Sequence, residues 1–325
     1  MKAIVRTEYG PPDVVSLVDV DVPVPGAGEV LVRVRAASVD RGAVHLMTGT
    51  PHLIRLFGFG LRAPRFAGLG GDLAGVVEAV GGDAREAGFA VGDEVFGIGR
   101  GAFAEYAVAP VAKLAPKPAG LGFEAAAAIA ISGITALRGL RDVGRLRSGQ
   151  HVLVIGASGG VGTYAVQLAR ALGADVTGVC GPAKADLVRS LGASEVIDHT
   201  RQEITDAGRR YDLVLDLAGN RPLSLLRRVL TPRGTLVLGG GEDGGAVLGG
   251  MGRQLRAALL APFVGQRLTS LFPAEKAADM REVARFVAEG TVTPVVDRTF
   301  TLPEVPDALR YVQEGRSRGK VVVTI

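Results

Sequence analysis

A chain of 325 residues exceeds what one ordinary compact core holds, so two domains are expected, and a hydrophobic content of 47% excludes a disordered chain. The net charge of +4 is spread without a long block of like charges, and no aromatic-rich basic strand suggests RNA readout; no nucleic-acid partner is expected, and a small anionic ligand fits the charge at least as well. Cys180 is the only cysteine, which excludes an intrachain disulfide and a Cys-rich zinc lobe and suggests a reducing, cytoplasmic setting.

The opening segment, MKAIVRTEYGPPDVV, has no apolar core region or small-residue cleavage site, so no signal peptide is expected. It predicts a strand over KAIVRTEY, a Gly-Pro-Pro turn and a second strand over VVSLVDVDVP. In GEVLVRVRAASVD, Val32, Val34 and Ala36 alternate with Arg33 and Arg35, the period of a half-buried strand. DLAGVVEAVG, VGDEVFGI and GAFAEYAVAP continue in that style, so residues 1 to about 110 read as a twisted, mostly antiparallel β region.

From Gly122 the pattern changes. FEAAAAIAISGITALRGLRDVG predicts an Ala-rich helix. Strands over HVLVIGA, DVTGVC, EVIDH, YDLVLDLAG and GTLVLGG then alternate with helices over VGTYAVQLARALG, AKADLVRSLGA and PLSLLRRVL. That alternation implies a parallel sheet covered on both faces. The uncharged run Val152 to Ala169 approaches the length of a membrane span, but its glycines divide it into a strand and a helix, so no membrane association is expected. The tail predicts helices over AADMREVARFVAEG and PEVPDALRYVQEG and strands over VTPVVDRTF and GKVVVTI. The expected division is a β-rich domain over 1–122 and 273–325 and a dinucleotide-type domain over 123–272.

The apolar strand Val152 to Ile155 ends at Gly156 and is followed by A-S-G-G-V-G and a helix. Ala157 stands where the first glycine of G-x-G-x-x-G is usual, while Gly159 and Gly162 match the other two. A side chain on such a turn would hold the backbone away from a pyrophosphate, and the helix N-terminus offers N–H groups and partial positive charge to that anion. Gly159, Gly160 and Val161 are the expected N–H contacts, and Ser158 lies in the same loop, so a serine nucleophile reading of GASGG is set aside. NAD sites usually end the second strand with an acid on the ribose 2′-hydroxyl. Here that strand ends Val179-Cys180-Gly181, with Lys184 three residues further on, which points to NADPH, with NADH possible at lower preference.

GASGGVGTYAVQLARALGA, GDLAGVVEAVG with VGDEVFG, SGITALRGL and the closing GKVVVTI together resemble the medium-chain dehydrogenase/reductase superfamily, and within it the zinc-independent quinone oxidoreductase branch. The resemblance implies an α/β chain with a GroES-like β-rich catalytic domain and a Rossmann doubly wound nucleotide domain, and a homodimer. Zinc-dependent members hold catalytic zinc with Cys and His, one in a GHE motif; the matching GGDLAG, Gly70 to Gly75, has neither, so no zinc is expected and Asp72 reads as structural. The family's N-P-x-D-x-Y stretch falls on DRGAVH, where Asp40, Ala43 and His45 replace its Asn, Asp and Tyr. By the same resemblance Thr135 meets the nicotinamide side, His199 takes the place of a tyrosine near the adenine ribose, Gly181 that of a serine on the 2′-phosphate, and Gly239, Gly240 and Lys320 border the cofactor.

With no metal to polarise a carbonyl, conjugated acceptors are the easier hydride targets, because charge spreads over their π-system as hydride arrives. The nicotinamide is expected between the two domains at the carboxyl ends of the parallel strands. His45 is the expected proton donor, since imidazole titrates near working pH, and Asp40 is expected to bond the carboxamide, a water or the substrate. The apolar, arginine-bearing HLIRLFGFGLRAPRF is a candidate wall for a flat hydrophobic substrate, and APFVGQRLTSLF a candidate pocket wall or subunit interface. The expected activity is NADPH-dependent reduction of a quinone or α,β-unsaturated carbonyl. A dedicated biosynthetic enoyl or ketone reductase and a non-catalytic NADPH-binding sensor or nucleic-acid binder are the alternatives.

Overall fold

A computed structural model describes residues 1–82, 88–206, 208–241, 245–272 and 276–325; the domain boundary expected at residue 273 lies outside them. In chain order, β1 (Lys2–Arg6) and β2 (Val15–Asp19) precede the long β3 (Glu29–Val39) and helix α1 (Arg41–Thr48). Strands β4 (Asp72–Val80), β5 (Glu94–Ile98), β6 (Tyr106–Pro110) and β7 (Leu114–Pro116) lead to helices α2 (Phe123–Ala127) and α3 (Ala130–Arg138). Then come β8 (His151–Ile155), α4 (Gly160–Ala171), β9 (Asp175–Cys180), α5 (Ala185–Ser190), β10 (Glu195–Asp198) and β11 (Tyr211–Asp216). They are followed by α6 (Leu223–Arg228), β12 (Leu230–Leu238), α7 (Met251–Leu260) and β13 (Arg267–Ser270). The chain closes with α8 (Ala277–Ala288), β14 (Val296–Thr301), α9 (Val305–Gln313) and β15 (Lys320–Thr324).

The residues divide into two units, Met1–Ile134 with Glu275–Ile325, and Thr135–Ala274. The first is built on a seven-stranded sheet in the order β14-β15-β3-β4-β5-β7, with β6 also paired to β3. β3 holds it together by pairing antiparallel with β15, β4 and β6. Its alternation is the one the sequence shows: Val30, Val32 and Val34 are buried while Arg33 and Arg35 face out. These valines join Leu73, Val95, Phe103, Leu309 and Val323 in one apolar core. This is the GroES-like half of the fold, and the other half is the Rossmann-type one.

The second unit carries a six-stranded sheet, β10-β9-β8-β11-β12-β13, in which every pair is parallel. β8 is buried on both faces from Val152 to Ile155, as a central parallel strand must be. α4 lays Tyr164, Ala165, Val166, Leu168 and Ala169 into the interior, and Val166 and Leu168 each contribute roughly 1.5–3 kcal/mol by burial. Strand order runs outward from β8 through β9 and β10, and from β11 through β12 and β13 on the other side. The reversal between β8 and β11 is the topological switch point, the place at the carboxyl ends of the strands where sheets of this kind take their ligands.

Two local features differ from the sequence expectation. The single Ala-rich helix is interrupted near Ala128–Ile129, because the Ile131 N–H, at the start of α3, donates to the Asp72 carboxylate at 2.8 Å and gives the chain a second helix start. DRGAVHLMT, read only as a site stretch, forms α1: Asp40 accepts from the Ala43 N–H at 2.8 Å as its N-cap, and Gly49, with φ 63°, closes it in the left-handed region.

Candidate functional site

The turn after β8 shows why its glycines are glycines. A Cβ on Gly162 would stand 2.1 Å from the Gly156 carbonyl oxygen and under 3 Å from the Ala157 backbone, so helix and strand approach too closely there for any side chain. Gly159, the N-cap of α4, is different: a Cβ there meets only the Gly156 oxygen at 3.4 Å and otherwise open space. An open position at a helix start is where a ligand's backbone-hugging atoms fit. No side chain caps α4, and no acid lies in its first turn, so the N–H groups of Gly160, Val161 and Gly162 remain for an external anion. The residues present therefore fit a dinucleotide diphosphate. Ser158 is buried in the same turn.

Around the switch point the strand ends converge. The Leu217 N–H donates to the Ile155 oxygen at 3.0 Å, joining the segments after β8 and β11. Asp216, fully buried, organises the next two: its backbone oxygen accepts from the N–H groups of Gly239 (2.8 Å) and Gly240 (3.0 Å), and its Oδ1 from that of Gly219 (3.0 Å). Arg253 neutralises it, with Nη1 2.7 Å from Oδ2, and also donates to the carbonyls of Arg221 and Gly240. Gly240 has no room for a side chain, since a Cβ would fall 2.2 Å from the Leu217 oxygen. Asp216 and Arg253 were not singled out in the sequence; an acid at the end of the YDLVLD run was their only signal.

At the outer side, β9 ends at Cys180 opposite Asp198 of β10. His199 donates its backbone N–H to the Cys180 oxygen at 3.2 Å, and its Nε2 would lie 3.6 Å from a Cβ on Gly181. The Lys184 N–H closes a turn on the Gly181 oxygen at 3.0 Å. Gly181, Lys184 and His199 are thus gathered at neighbouring strand ends. Cys180 is buried, and its thiol pKa is pushed up by that burial and by Asp198, against the pull of the Lys184 and Arg189 charges.

The β-rich unit holds a cavity of about 550 Å³. Its lining includes Asp40, Leu46 and Ile131 together with Arg6, Phe59 and Phe66. Tyr9 fixes the rim by donating its hydroxyl to the carbonyls of Phe59 (2.7 Å) and Gly60 (2.8 Å), while the Arg55 guanidinium lies 4.4 Å over its ring. Asp40 therefore combines a helix-capping role with a place on the cavity wall. His45 does not line this cavity: it sits half-buried in the last turn of α1 with Nδ1 2.9 Å from the Thr50 oxygen. Thr135, on α3, is half-buried.

Beside the cavity lies a buried ion pair. Lys320, 1% exposed, donates from Nζ to Asp72 Oδ2 at 3.0 Å and to Ser132 Oγ at 3.2 Å; Ser38 Oγ donates to the same carboxylate at 2.8 Å. Burial pushes the Asp72 carboxyl up, Lys320 pulls it down, and the nearby Asp40 charge raises it again. Lys320, expected to border the cofactor, joins β15 to β4 and to the start of α3. Among the described residues there is no group of three or more His, Cys, Asp or Glu that could hold a metal ion. None of the helices is long and apolar enough to cross a membrane, among the described residues.

One unit built on a GroES-like sheet and another on a parallel dinucleotide-type sheet define the class of two-part oxidoreductases. The alcohol dehydrogenase GroES-like domain model matches residues 26–119, and the zinc-binding dehydrogenase model matches residues 191–323. The quinone oxidoreductase of Pseudomonas aeruginosa is 32% identical, over 99% of this chain and 99% of its own length. The chloroplastic quinone oxidoreductase of Triphysaria versicolor is also 32% identical, over 94% of this chain and 92% of its own. A polyketide synthase protein of Streptomyces orinoci is 35% identical over 92% of this chain, which spans only 13% of it. Among solved structures, the Coxiella burnetii quinone oxidoreductase superposes with a TM-score of 0.87 at 26% identity, covering 100% of this chain and 99% of that one. A mycobacterial protein solved with NADPH gives 0.86 at 27% identity, with both chains covered in full. The chain belongs to the quinone oxidoreductase-like family of medium-chain dehydrogenases/reductases, and it is an oxidoreductase of the NAD(P)H-dependent kind.

Proposed function

We propose that the protein is a zinc-independent, NADPH-preferring reductase of a quinone or an α,β-unsaturated carbonyl. The observation that carries this reading is the open glycine position at the start of α4, set at the switch point of a parallel sheet. The family membership and the NADPH-bound structural neighbour support it. Bound there, NADPH would supply hydride to the electrophilic carbon of a conjugated acceptor, and the acceptor would take its proton from water.

The chain's own part is orientation and exclusion of water. The N–H groups at Gly160 and Val161 hold the diphosphate, and the bonds that Asp216 makes to Gly219, Gly239 and Gly240 fix the loops beside it. Phe59, Phe66 and Leu46 give the cavity the flat apolar walls that a conjugated ring system fills. Asp40 faces this cavity, whereas His45 acts on its Thr50 carbonyl and so positions the end of α1. A homodimer through β13, an edge of the parallel sheet near exposed Phe263 and Phe272, completes the proposal.

Mixing the protein with NADPH and a panel of quinones and enals, while following nicotinamide absorbance, tests this reading. Oxidation of NADPH by several of these acceptors supports it. Turnover with one elaborate enoyl thioester alone would favour the dedicated reductase, which the Streptomyces orinoci relative also suggests. Tight binding without turnover by any acceptor would favour a sensor.

The cofactor preference rests on β9 itself ending at Cys180 and Gly181 rather than at an acid, with Lys184 three residues further on and His199 following β10. Lys184→Ala is expected to raise the KM for NADPH roughly tenfold, the scale of one charge-assisted contact, while that for NADH changes less than twofold. Equal effects on the two cofactors would remove this lysine from the 2′-phosphate site.

A further inference from the structure

Arg6 is a buried cation that the proposed reaction has not used. It ends β1, is only 4% exposed, and lines the cavity of the β-rich unit. Its Nη1 donates to the Gly68 carbonyl at 3.3 Å, and its Nε is buried with no hydrogen-bond partner. No carboxylate among the described residues pairs with it; the neighbouring ionisable group is the Tyr9 phenol. Burying a guanidinium against one carbonyl is costly unless something else neutralises it. Arg100, on the same wall, is by contrast paired with Glu29 at 2.6 Å. Arg65 adds a second, exposed cation to the lining. Asp40, on the same cavity's lining, is bonded instead to the Ala43 N–H as the cap of α1.

We infer that the substrate carries a carboxylate, and that Arg6 receives it while the conjugated system lies along Phe59 and Phe66. This rests on the reading of the reaction given above and adds to it the chemical class of the substrate: a flat, apolar, conjugated carbonyl compound with an anionic end. A guanidinium is suited to the task because its planar fork matches a carboxylate's two oxygens. Tyr9 serves the arrangement by holding the Phe59 carbonyl beside it.

The test compares a carboxylated benzalacetone, 4-(4-carboxyphenyl)but-3-en-2-one, with its methyl ester, using the full-length protein and NADPH. For the native protein, kcat/KM is expected to favour the acid by roughly tenfold or more, the scale of one hydrogen bond between charged groups. In Arg6→Met this preference is expected to disappear, and in Arg6→Lys to return in part. The saturated analogue of the acid is titrated calorimetrically in parallel, so that binding is read without turnover. If neither ketone is reduced but the saturated acid binds the native protein and not Arg6→Met, the anion site stands and the reaction reading fails. If acid and ester are reduced equally well, the reaction reading stands and the anion site is overturned. Should Arg6→Met fail to fold, the acid-to-ester ratio of the native protein decides the matter alone.

Discussion

Lys320→Met is expected to destabilise the protein by about 3–5 kcal/mol, because it leaves Asp72 buried with the Ser38 hydroxyl and the Ile131 N–H for partners and no positive charge. The pair ties β15 to β4, and through Asp72 and Ile131 it fixes the break between α2 and α3, so the loss falls on the sheet that carries the cavity. The pH dependence has a definite sign. A carboxyl whose folded pKa lies above its unfolded one stabilises the fold at low pH and loses that contribution as the pH rises through the folded value. Burial already pushes Asp72 upward, and removing Lys320 pushes it further, so the variant's deficit is expected to shrink as the pH falls. Urea unfolding of both proteins at several pH values measures this. The double variant Asp72→Asn, Lys320→Met is expected to regain at least half of the loss, since the uncharged amide needs no counter-ion. A loss below about 1 kcal/mol for the single variant would place the pair among the weak surface bridges instead.

The second large effect separates two glycines of one turn. Gly162→Ala forces a Cβ against the Gly156 carbonyl and the Ala157 backbone, neither of which can move without displacing the turn from β8. The expected cost is about 1–3 kcal/mol of stability, together with roughly a hundredfold loss of NADPH affinity as two charge-assisted N–H contacts are misaimed. Gly159→Ala meets open space and an ordinary backbone conformation, so its stability is expected to stay within about 1 kcal/mol. Its NADPH affinity is nevertheless expected to fall roughly tenfold, because the new methyl keeps the diphosphate away from the amides. Equal behaviour of the two variants in both measurements would mean that the open side of the turn is not a binding face.

What the sequence made legible was local. The strand-turn-helix pattern at Gly156 to Gly162, the alternation in β3 and the βαβ rhythm of the second unit are encoded within short windows, so periodicity finds them. The residues that close the site are not encoded in this way. Lys320 and Asp72 are 248 positions apart, and Arg6 meets Gly68 across 62. Nothing near Arg6 in KAIVRTEY distinguishes it from the outward-facing arginines of β3. Its burial follows from the β1 pairing that sends it inward beside Gly68. α1 was hidden for another reason. Its cap signals, Asp40 and Gly49, were present, but the helix is short and contains Gly42, which weakens its pattern. His45, expected as the proton donor, stands in this helix with its ring against the Thr50 carbonyl, a placement no short window of the sequence shows.

The most direct measurement is a calorimetric titration of the native protein and of Gly159→Ala with NADPH. One saturable site per chain is predicted, weakened in the variant while its melting temperature is retained. An absence of saturable heat in the native protein, or identical affinity in the variant, would contradict the assignment of the α4 N-terminus as the place where the nucleotide is held.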